Sequence, residues 1–461
     1  MIKLIKIILK NKFFGFILGI FISLFFLKLI FFKKKSSLKI IIFSHHRWAD
    51  SVKSLEREKN ICLIIISDFI YNRINSLFNT NPINAQIEKN YKKIRYEDLG
   101  FWGKSADQYY YLKTKKKVLN ERRKKSIFVS NIVRTINFFT KIDCALTCAI
   151  HYSQEQEWAS GFHKGGIPFI CLHKEQSITD RGHINFRSKH LKKIKQKFQG
   201  TAVVAPNKIV RDLFIKSKLI DKKNIYSSGM LKFQEIKKQK IVNKKFFTLF
   251  SFGHYSGNIV PKNRRSHYFS KNYDEGFSKL FFNTHKTFIL SALNNANITF
   301  YIKPKNWADW WINEIENVIK KVAGKDIESI KNLVITNKPS IYLIKNSINV
   351  IGFNSTVLLE ALALGCKPII PNFDEAVGVE RKNVYFKKFQ KNFFIANNPL
   401  DLSNKINKCI NNSKDKKFNY YFGSEDIFKH YLDSRPHNLK AKTIKIIKQI
   451  ILNYKKNRKS I

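Results

Sequence analysis

The strongest constraint on the fold is a repeated alternation of short apolar runs with segments of helical character. Residues 142–150, 167–172 and 201–205 are nearly continuous apolar runs, separated by stretches with a helical pattern. Strands of this kind, without polar–apolar alternation, are typical of parallel sheets covered by helices on both faces. Two earlier runs, at 39–43 and 61–67, predict further strands of the same sheet. We therefore predict an α/β fold.

A second series of the same kind follows in the carboxyl-terminal half. Its predicted strands are at 246–252, 298–303, 333–336, 348–353 and 367–371. A chain of 461 residues is too long for one ordinary domain. We predict two consecutive Rossmann-like domains, at 38–232 and 233–415. The helical stretches within 416–461 are expected to pack back on the first of them.

An apolar run near the amino terminus predicts a membrane-associated segment. Residues 13–32 contain a single charge, Lys28. At ~1.5 Å per residue, a helix of this length matches a bilayer core of ~30 Å. No small-residue cleavage site follows, so we expect residues 1–37 to be a retained anchor rather than a removed signal peptide. Lysines on both sides leave two arrangements open, a transmembrane helix or one that dips into a single leaflet, with an anionic membrane surface as partner.

The chain is strongly basic, with 85 Lys and Arg against 33 Asp and Glu, a net charge of +52. Such a charge attracts nucleic acid, anionic lipid and phosphorylated substrates. The basic residues are spread along the chain and not concentrated in one arm, so we predict no specific nucleic-acid partner. Cys144, Cys148 and His151 form a C-x3-C-x2-H string, but the run around them is typical of a buried strand, and we predict no metal site.

The segment GFNSTVLLEALALGCKPIIP, at 352–371, is the most specific motif. A strand ends in a loop, and a helix is predicted to begin at Ser355 and Thr356. The free amides and hydroxyls there, at the positive end of the helix dipole, are suited to hold phosphate. Glu360 follows within about one and a half turns and is placed to accept hydrogen bonds from a ribose. The alternative is that Ser355 only caps the helix and Glu360 is solvated.

The string Ser355-Thr356-x3-Glu360-x4-Gly365-x2-Pro368 resembles the C-terminal motif of GT-B enzymes that build bacterial surface polysaccharides. These include capsule and lipopolysaccharide glycosyltransferases and the teichoic-acid glycerophosphotransferases. The segment YIKPKNW, at 301–307, resembles their K-P-H-P element, with Lys-Asn where His-Pro is usual, and 203–230 resembles the end of their N-terminal half. The resemblance implies that the C-terminal domain binds the donor nucleotide, and that the N-terminal domain supplies the acceptor site and the general base. It also implies inverting transfer without a required metal, and no cofactor beyond the nucleotide-sugar donor.

Four residues are candidates for the general base of such a reaction. His45 and His46 lie in the loop after the first predicted strand, and Glu175 and Asp180 follow the strand at 167–172. All four are expected at the carboxyl edge of the first sheet, where a base can take the acceptor proton. A single His after a strand is more often structural, so the choice among the four stays open.

Other residues are candidates for contacts with the donor. Lys303, Arg264 and Arg265 are suited to hold the leaving phosphate groups. Gly253 either lets the backbone approach a donor phosphate or forms a plain turn. Together with Ser355, Thr356 and Glu360, Lys303 and Gly253 form the predicted donor site.

The function that these expectations favour is transfer of a sugar from a nucleotide-sugar donor to a cell-envelope glycan or a lipid-linked acceptor. We expect the enzyme at the inner (cytoplasmic) membrane, with its domains on the cytoplasmic side. Three alternatives stay open: a phosphoalditol transferase of the teichoic-acid type, a sugar-nucleotide epimerase, and a non-catalytic, membrane-anchored protein that binds anionic polymers through its charge.

Overall fold

The computed structural model divides the chain into two compact units. The first consists of Met1–Glu235 and Lys429–Ile461, and the second is Ile236–Phe428. The residues that the structure describes are 12–31, 38–78, 116–150, 155–174, 184–185, 188–189, 191–192, 197–236, 246–257, 268–270, 272–305, 308–414, 421–433 and 439–459.

The first unit is built on a six-stranded, all-parallel sheet with the order β2-β1-β3-β4-β5-β6. Most of its strand residues are buried, which explains why the sequence shows continuous apolar runs and no alternation. The strands are β1 (Leu38–Ile42), β2 (Ile61–Ile65), β3 (Cys144–Thr147), β4 (Phe169–Leu172), β5 (Ala202–Ala205) and β6 (Ile225–Ser227).

Helices cover both faces of this sheet. One face carries α1, α3, α4, α5 and α6, and the other carries α2 and α13, which comes from the end of the chain. The helices of the first unit are α1 (Lys12–Phe31), α2 (Ala49–Glu56), α3 (Asp68–Leu77), α4 (Lys116–Thr140), α5 (Gln156–Gly165), α6 (Lys208–Lys216) and, near the end of the chain, α13 (Leu439–Lys459).

The second unit has the same design. Its six-stranded parallel sheet has the order β12-β11-β10-β7-β8-β9. Its strands are β7 (Phe246–Phe250), β8 (Thr299–Lys303), β9 (Leu333–Ile335), β10 (Ser347–Gly352), β11 (Ile369–Pro371) and β12 (Phe394–Ala396). Its helices are α7 (Ser278–Leu293), α8 (Asp309–Ala323), α9 (Ser340–Asn346), α10 (Val357–Ala363) and α11 (Pro399–Lys414), and α12 (Glu425–Leu432) contains the return to the first unit. Two parallel α/β sheets confirm the predicted fold class.

The predicted apolar segment at 13–32 forms most of α1. Across the described part of the chain, no helix has both the length and the apolar character needed to cross a membrane. The predicted membrane anchor is therefore not confirmed and stays a prediction.

Each sheet reverses its strand order at one point. In the first sheet the chain runs from β1 outward to β2, and then returns to the other side of β1 with β3. In the second sheet it runs from β7 through β8 to β9, and returns to the other side of β7 with β10. The loops that follow β1 and β3, and those that follow β7 and β10, lie on either side of these points at the carboxyl edge of each sheet. We refer to each of these two places as a crevice. Such crevices are where open α/β sheets bind ligands.

Candidate functional site

The crevice of the second unit lies between the loops that follow β7 and β10. Asn354, directly after β10, holds this edge together. It adopts a left-handed conformation with φ 46°, and its side-chain Nδ2 donates to the Asn383 carbonyl oxygen at 2.9 Å. The Tyr385 backbone N–H donates to Asn354 Oδ1 at 2.7 Å. Gly257, at φ 91°, packs against both asparagines, and a Cβ there would lie 2.5 Å from the Asn383 carbonyl oxygen. Three loops are thus fixed around one asparagine.

A buried hydrogen-bond network fixes the first residue after β7. Trp311 Nε1 donates to Ser251 Oγ at 3.1 Å, and His285 Nε2 lies 3.0 Å from the same oxygen. His285 Nδ1 lies 2.7 Å from the Phe281 carbonyl oxygen. Since a carbonyl can only accept, Nδ1 of His285 carries the proton, and Nε2 accepts from the Ser251 hydroxyl. Burial lowers the pKa of His285 to about 4, so the ring is neutral at pH 7 and keeps this tautomer.

The predicted phosphate-binding residues lie at this edge, but the helix starts later than predicted. It begins at Val357, and Thr356 occupies the capping position with no side-chain capping bond. The Val357 backbone N–H donates instead to Ser355 Oγ at 3.3 Å. The left-handed turn at Asn354 carries the chain through Ser355 before helical geometry is established. Ser355 and Thr356 remain half-buried, and Glu360, 8% exposed, lies within α10 rather than on a solvated face.

Lys303 and Gly253 belong to neighbouring strand ends. Lys303 is the last residue of β8, beside β7, and its carbonyl oxygen accepts from the Ser251 backbone N–H at 2.9 Å. Partial burial lowers the pKa of the Lys303 ammonium. A Cβ on Gly253 would lie 2.7 Å from the Tyr268 carbonyl oxygen, so the close approach that the structure shows at this glycine is to protein backbone. Arg264 and Arg265 lie outside the described residues.

The crevice of the first unit contains His45 and His46. They form a short 3₁₀ turn with Arg47 directly after β1, and His46 is exposed. Arg47 Nε donates to His46 Nε2 at 3.3 Å. The other two candidate bases, Glu175 and Asp180, lie outside the described residues, as does His151 of the cysteine string. The structure thus places two of the four candidates at the predicted edge.

Glu155 is the residue of this crevice that the sequence prediction missed. Its carboxylate accepts hydrogen bonds from the hydroxyls of Ser44, two residues after the end of β1, and Thr147, the last residue of β3. It therefore joins the two strands on either side of the reversal. Ser44 has a left-handed φ of 47° and leads directly into the His45–Arg47 turn. Glu155 thus fixes the start of the loop that carries both candidate histidines.

The environment of Glu155 sets its protonation. The side chain is 1% exposed, and this burial raises its pKa to about 7, although the two hydroxyl bonds lower it. Helix α5 begins at Gln156, and Glu155 occupies its capping position without a side-chain capping bond, because its carboxylate binds the two hydroxyls.

No protein-family model matches the chain, and no curated protein matches its sequence. Among solved structures, it is similar to UDP-GlcNAc 2-epimerase from Neisseria meningitidis bound to UDP-GlcNAc, with 11% identity and a TM-score of 0.42 over 90% of this chain and 99% of the other. It is also similar to UDP-N-acetylglucosamine 2-epimerase from Rickettsia bellii, with 12% identity and a TM-score of 0.41 over 91% of this chain and 97% of the other.

A third similar structure is the wall teichoic acid polymerase TagF, at 12% identity and a TM-score of 0.35, over 71% of this chain and 75% of the other. All three TM-scores are below 0.5, so the candidate sites are assigned on the geometry of this chain alone.

Proposed function

We propose that the protein is a glycosyltransferase whose second unit binds a nucleotide-sugar donor at the crevice between β7 and β10. The observation that carries this proposal is the convergence of three chain segments on one strand reversal. Ser355 and Thr356 follow β10, Ser251 follows β7, and Lys303 ends the adjacent strand β8. The hydroxyls of Ser355 and Thr356 and the ammonium of Lys303, at the carboxyl edge of a parallel sheet, are suited to bind a diphosphate, and the buried Ser251 fixes the start of the loop beside them.

The proposed chemistry is a single displacement. The oxygen of an acceptor hydroxyl attacks the anomeric carbon, the bond from that carbon to the diphosphate oxygen breaks, and a base takes the hydroxyl proton. The first unit supplies the base, with His45 and His46 as the described candidates. Lys303 and the hydroxyls of Ser355 and Thr356 stabilise the nucleoside diphosphate as it leaves, and no metal is required. We further propose that the acceptor is a cell-envelope glycan or a lipid-linked molecule at the inner membrane.

The test is isothermal titration of the full chain with UDP, CDP and GDP, followed by the sugar-linked form of the nucleotide that binds. Glu360→Gln preserves side-chain volume and removes the charge proposed to meet the ribose. Loss of a hydrogen bond to a charged group costs about 1.5–3 kcal/mol, which predicts roughly 10- to 150-fold weaker binding. Glu328→Gln is the matched control, since Glu328 is exposed and precedes β9 at the opposite edge.

Two results would overturn the donor-site proposal. One is the absence of nucleotide binding by the folded wild-type chain. The other is unchanged affinity in a Glu360→Gln variant whose circular dichroism matches that of the wild type. Binding of CDP-glycerol in place of any nucleotide sugar would keep the site but change the reaction to phosphoalditol transfer.

A further inference from the structure

Helix α1 buries one face and exposes the other. Its buried residues are spaced by three and four positions, as expected for one side of a helix. They are Gly15, Gly19, Ile22, Ser23 and Phe26. The opposite side exposes seven large apolar side chains, with Phe13 at 69% and Phe21 at 66%. The seven are Phe13, Phe16, Ile20, Phe21, Leu24, Phe25 and Leu27.

The buried face is held against α4 by close backbone packing. A Cβ on Gly15 would lie 3.0 Å from the Phe128 carbonyl oxygen, and one on Gly19 would lie 2.7 Å from Thr135 Cβ. The contacts advance together along both helices, so α1 and α4 run parallel. Ser23 Oγ donates to the Gly19 carbonyl oxygen within α1 at 2.6 Å. Because α4 packs on the sheet of the first unit, α1 cannot turn its outer face inward while this packing persists.

Two more exposed aromatic side chains lie on the neighbouring helix α4. Continuing the parallel register places Phe138 and Phe139 level with the second half of α1. These side chains are 70% and 46% exposed. Lys141 Nζ lies 5.6 Å from the centroid of the Phe138 ring. We define the outer surface as the seven exposed apolar residues of α1.

Charge surrounds this apolar surface. Lys28 is exposed on α1 itself, and Arg134 and Lys141 are exposed at and just after α4. In the sequence, four lysines precede the apolar segment, at positions 3, 6, 10 and 12, and three follow it before β1, at positions 33, 34 and 35. A second copy of the chain would bring the same cations against these, which disfavours self-association. An anionic bilayer offers both complements, acyl chains for the apolar residues and negative headgroups for the lysines.

We propose that the outer surface inserts into one leaflet of an anionic membrane, with α1 lying along the plane of the bilayer. One face of α1 stays on α4, so only the opposite face enters lipid. Arg134, exposed on α4 beside Gly19 and Thr135, stays at headgroup level in this arrangement, whereas a perpendicular helix would carry it towards the hydrocarbon centre. The proposal does not depend on the nucleotide site of the second unit.

The first experiment measures binding of the full chain to vesicles of phosphatidylcholine with and without phosphatidylglycerol. Phe21→Ser with Phe25→Ser changes the outer surface and leaves the buried face intact. We expect tight binding of the wild type to anionic vesicles, and at least about 10-fold weaker binding of the double variant. Leu290→Ser with Leu293→Ser is the control, because these side chains are 40% and 42% exposed on α7 of the second unit.

Three outcomes would overturn insertion. The first is failure of the wild type to bind anionic vesicles. The second is equal binding of the wild type and the Phe21 and Phe25 variant, with both released by high salt, which would indicate a purely electrostatic contact. The third is concentration-dependent dimerisation without vesicles that the double substitution abolishes, which would make a second copy the occupant.

The second experiment distinguishes a helix in the membrane plane from a crossing one. Phe13→Trp and Leu24→Trp place reporters on the same exposed face, 11 residues apart, or about 16 Å along the axis. The fluorescence of each added tryptophan is quenched by lipids brominated at defined depths, and the quenching of the parent protein is subtracted. We expect the same shallow depth for the tryptophans at positions 13 and 24. Depths that differ by about the axial distance would show a crossing helix and contradict the proposal.

Discussion

The two units share a sheet architecture but differ in two respects. They differ in the number of chain segments that form them, and in the ionisable groups that they bury beside the strand reversal. The first unit is completed by residues from the end of the chain, whereas the second is continuous. The first buries a carboxyl group, Glu155, and the second buries two imidazoles, His254 and His285. Burial disfavours the charged form of each group, so it raises the pKa of an acid and lowers that of a base. The same fold should therefore respond to pH in opposite directions in the two halves.

The largest expected effect comes from breaking the discontinuous core of the first unit. Helix α13 contributes Ile447, Ile450 and Ile451 to the core on the α2 face of the sheet. Ile447 is fully buried, so Ile447→Asp loses its packing and places a carboxylate in an apolar core, at a cost of about 4 kcal/mol or more. We expect the first unit to unfold while the second stays folded, measured by hydrogen exchange on peptides from β1 and β7.

The matched control lies on the same helix. Leu452 is 60% exposed, and Leu452→Asp should leave both units folded. If the β7 peptides of Ile447→Asp also lose their protection from hydrogen exchange, the prediction that the second unit stays folded without an intact first unit is wrong.

The second expected effect is an acid response of the second unit. Burial, followed by the charge of His285, lowers the pKa of His254 to about 3, and burial lowers that of His285 to about 4. Native protein therefore binds fewer protons than unfolded protein below the ordinary value near 6.5. The contribution of each neutral ring to the stability of the second unit is fully present above pH 6.5. It is lost as the pH falls from 6.5 through 4, and amounts to on the order of 3 kcal/mol for each ring.

The measurement is urea unfolding from pH 7 to pH 4, with a hydrogen-exchange pulse at one fixed pH and readout on β7 peptides. His285→Gln should reduce the slope with pH. Trp311→Phe removes the donor to Ser251 but keeps the imidazole, so it should lower stability equally at every pH. A wild-type second unit whose stability is constant over this range would refute the assignment of buried neutral histidines.

The sequence predicted the strands well and the site only in part. Buried parallel strands leave continuous apolar runs, so β4 and β5 are visible from local composition. The three-residue strand β12 is partly exposed and was missed together with α11. Short or solvent-facing elements carry little periodic signal.

The strand reversals explain what the sequence concealed about the site. The order of strands depends on pairing between distant segments, and no local pattern records it. Glu155 contacts Ser44 across 111 positions, so its role follows only from the fold. The available signal was chemical: acidic residues are scarce in this chain, and Glu155 and Glu157 stand together next to a predicted buried strand. The position of Ser355 and Thr356 at the carboxyl edge could be predicted because strand, loop and helix are consecutive there.

The third expected effect is the opposite pH response in the first unit. Burial raises the pKa of Glu155 from an ordinary value near 4.5 to about 7. Native protein therefore binds more protons than unfolded protein between these values. The contribution of protonated Glu155 to the stability of the first unit is fully present below pH 4.5. It is lost as the pH rises through 7, and amounts to about 3 kcal/mol. Glu155→Gln, which is neutral throughout, should abolish this slope in β1 peptides.

The control for this effect is Glu56→Gln, at an exposed position of α2 in the same unit, which should keep the wild-type slope. If the first unit of Glu155→Gln still loses stability between pH 5 and pH 8, another group causes the effect. The opposition between the two units would then lack its physical basis.

The smallest expected effect tests how the returning chain is fastened to the first unit. Asn207, fully buried, caps α6 by accepting from the Val210 backbone N–H at 2.8 Å, and its Nδ2 donates to the Tyr431 carbonyl oxygen at 3.1 Å. Asn207→Ala removes both bonds and should cost about 2 kcal/mol, whereas Asn207→Ser keeps a capping oxygen and should cost about 1 kcal/mol. Urea unfolding read on β5 peptides measures both. If Asn207→Ser is as stable as the wild type, the bond to Tyr431 adds nothing to stability, and the returning chain is held by its apolar core and by its other contacts, such as the bond from Ser227 Oγ to Asp433 Oδ2 at 2.8 Å.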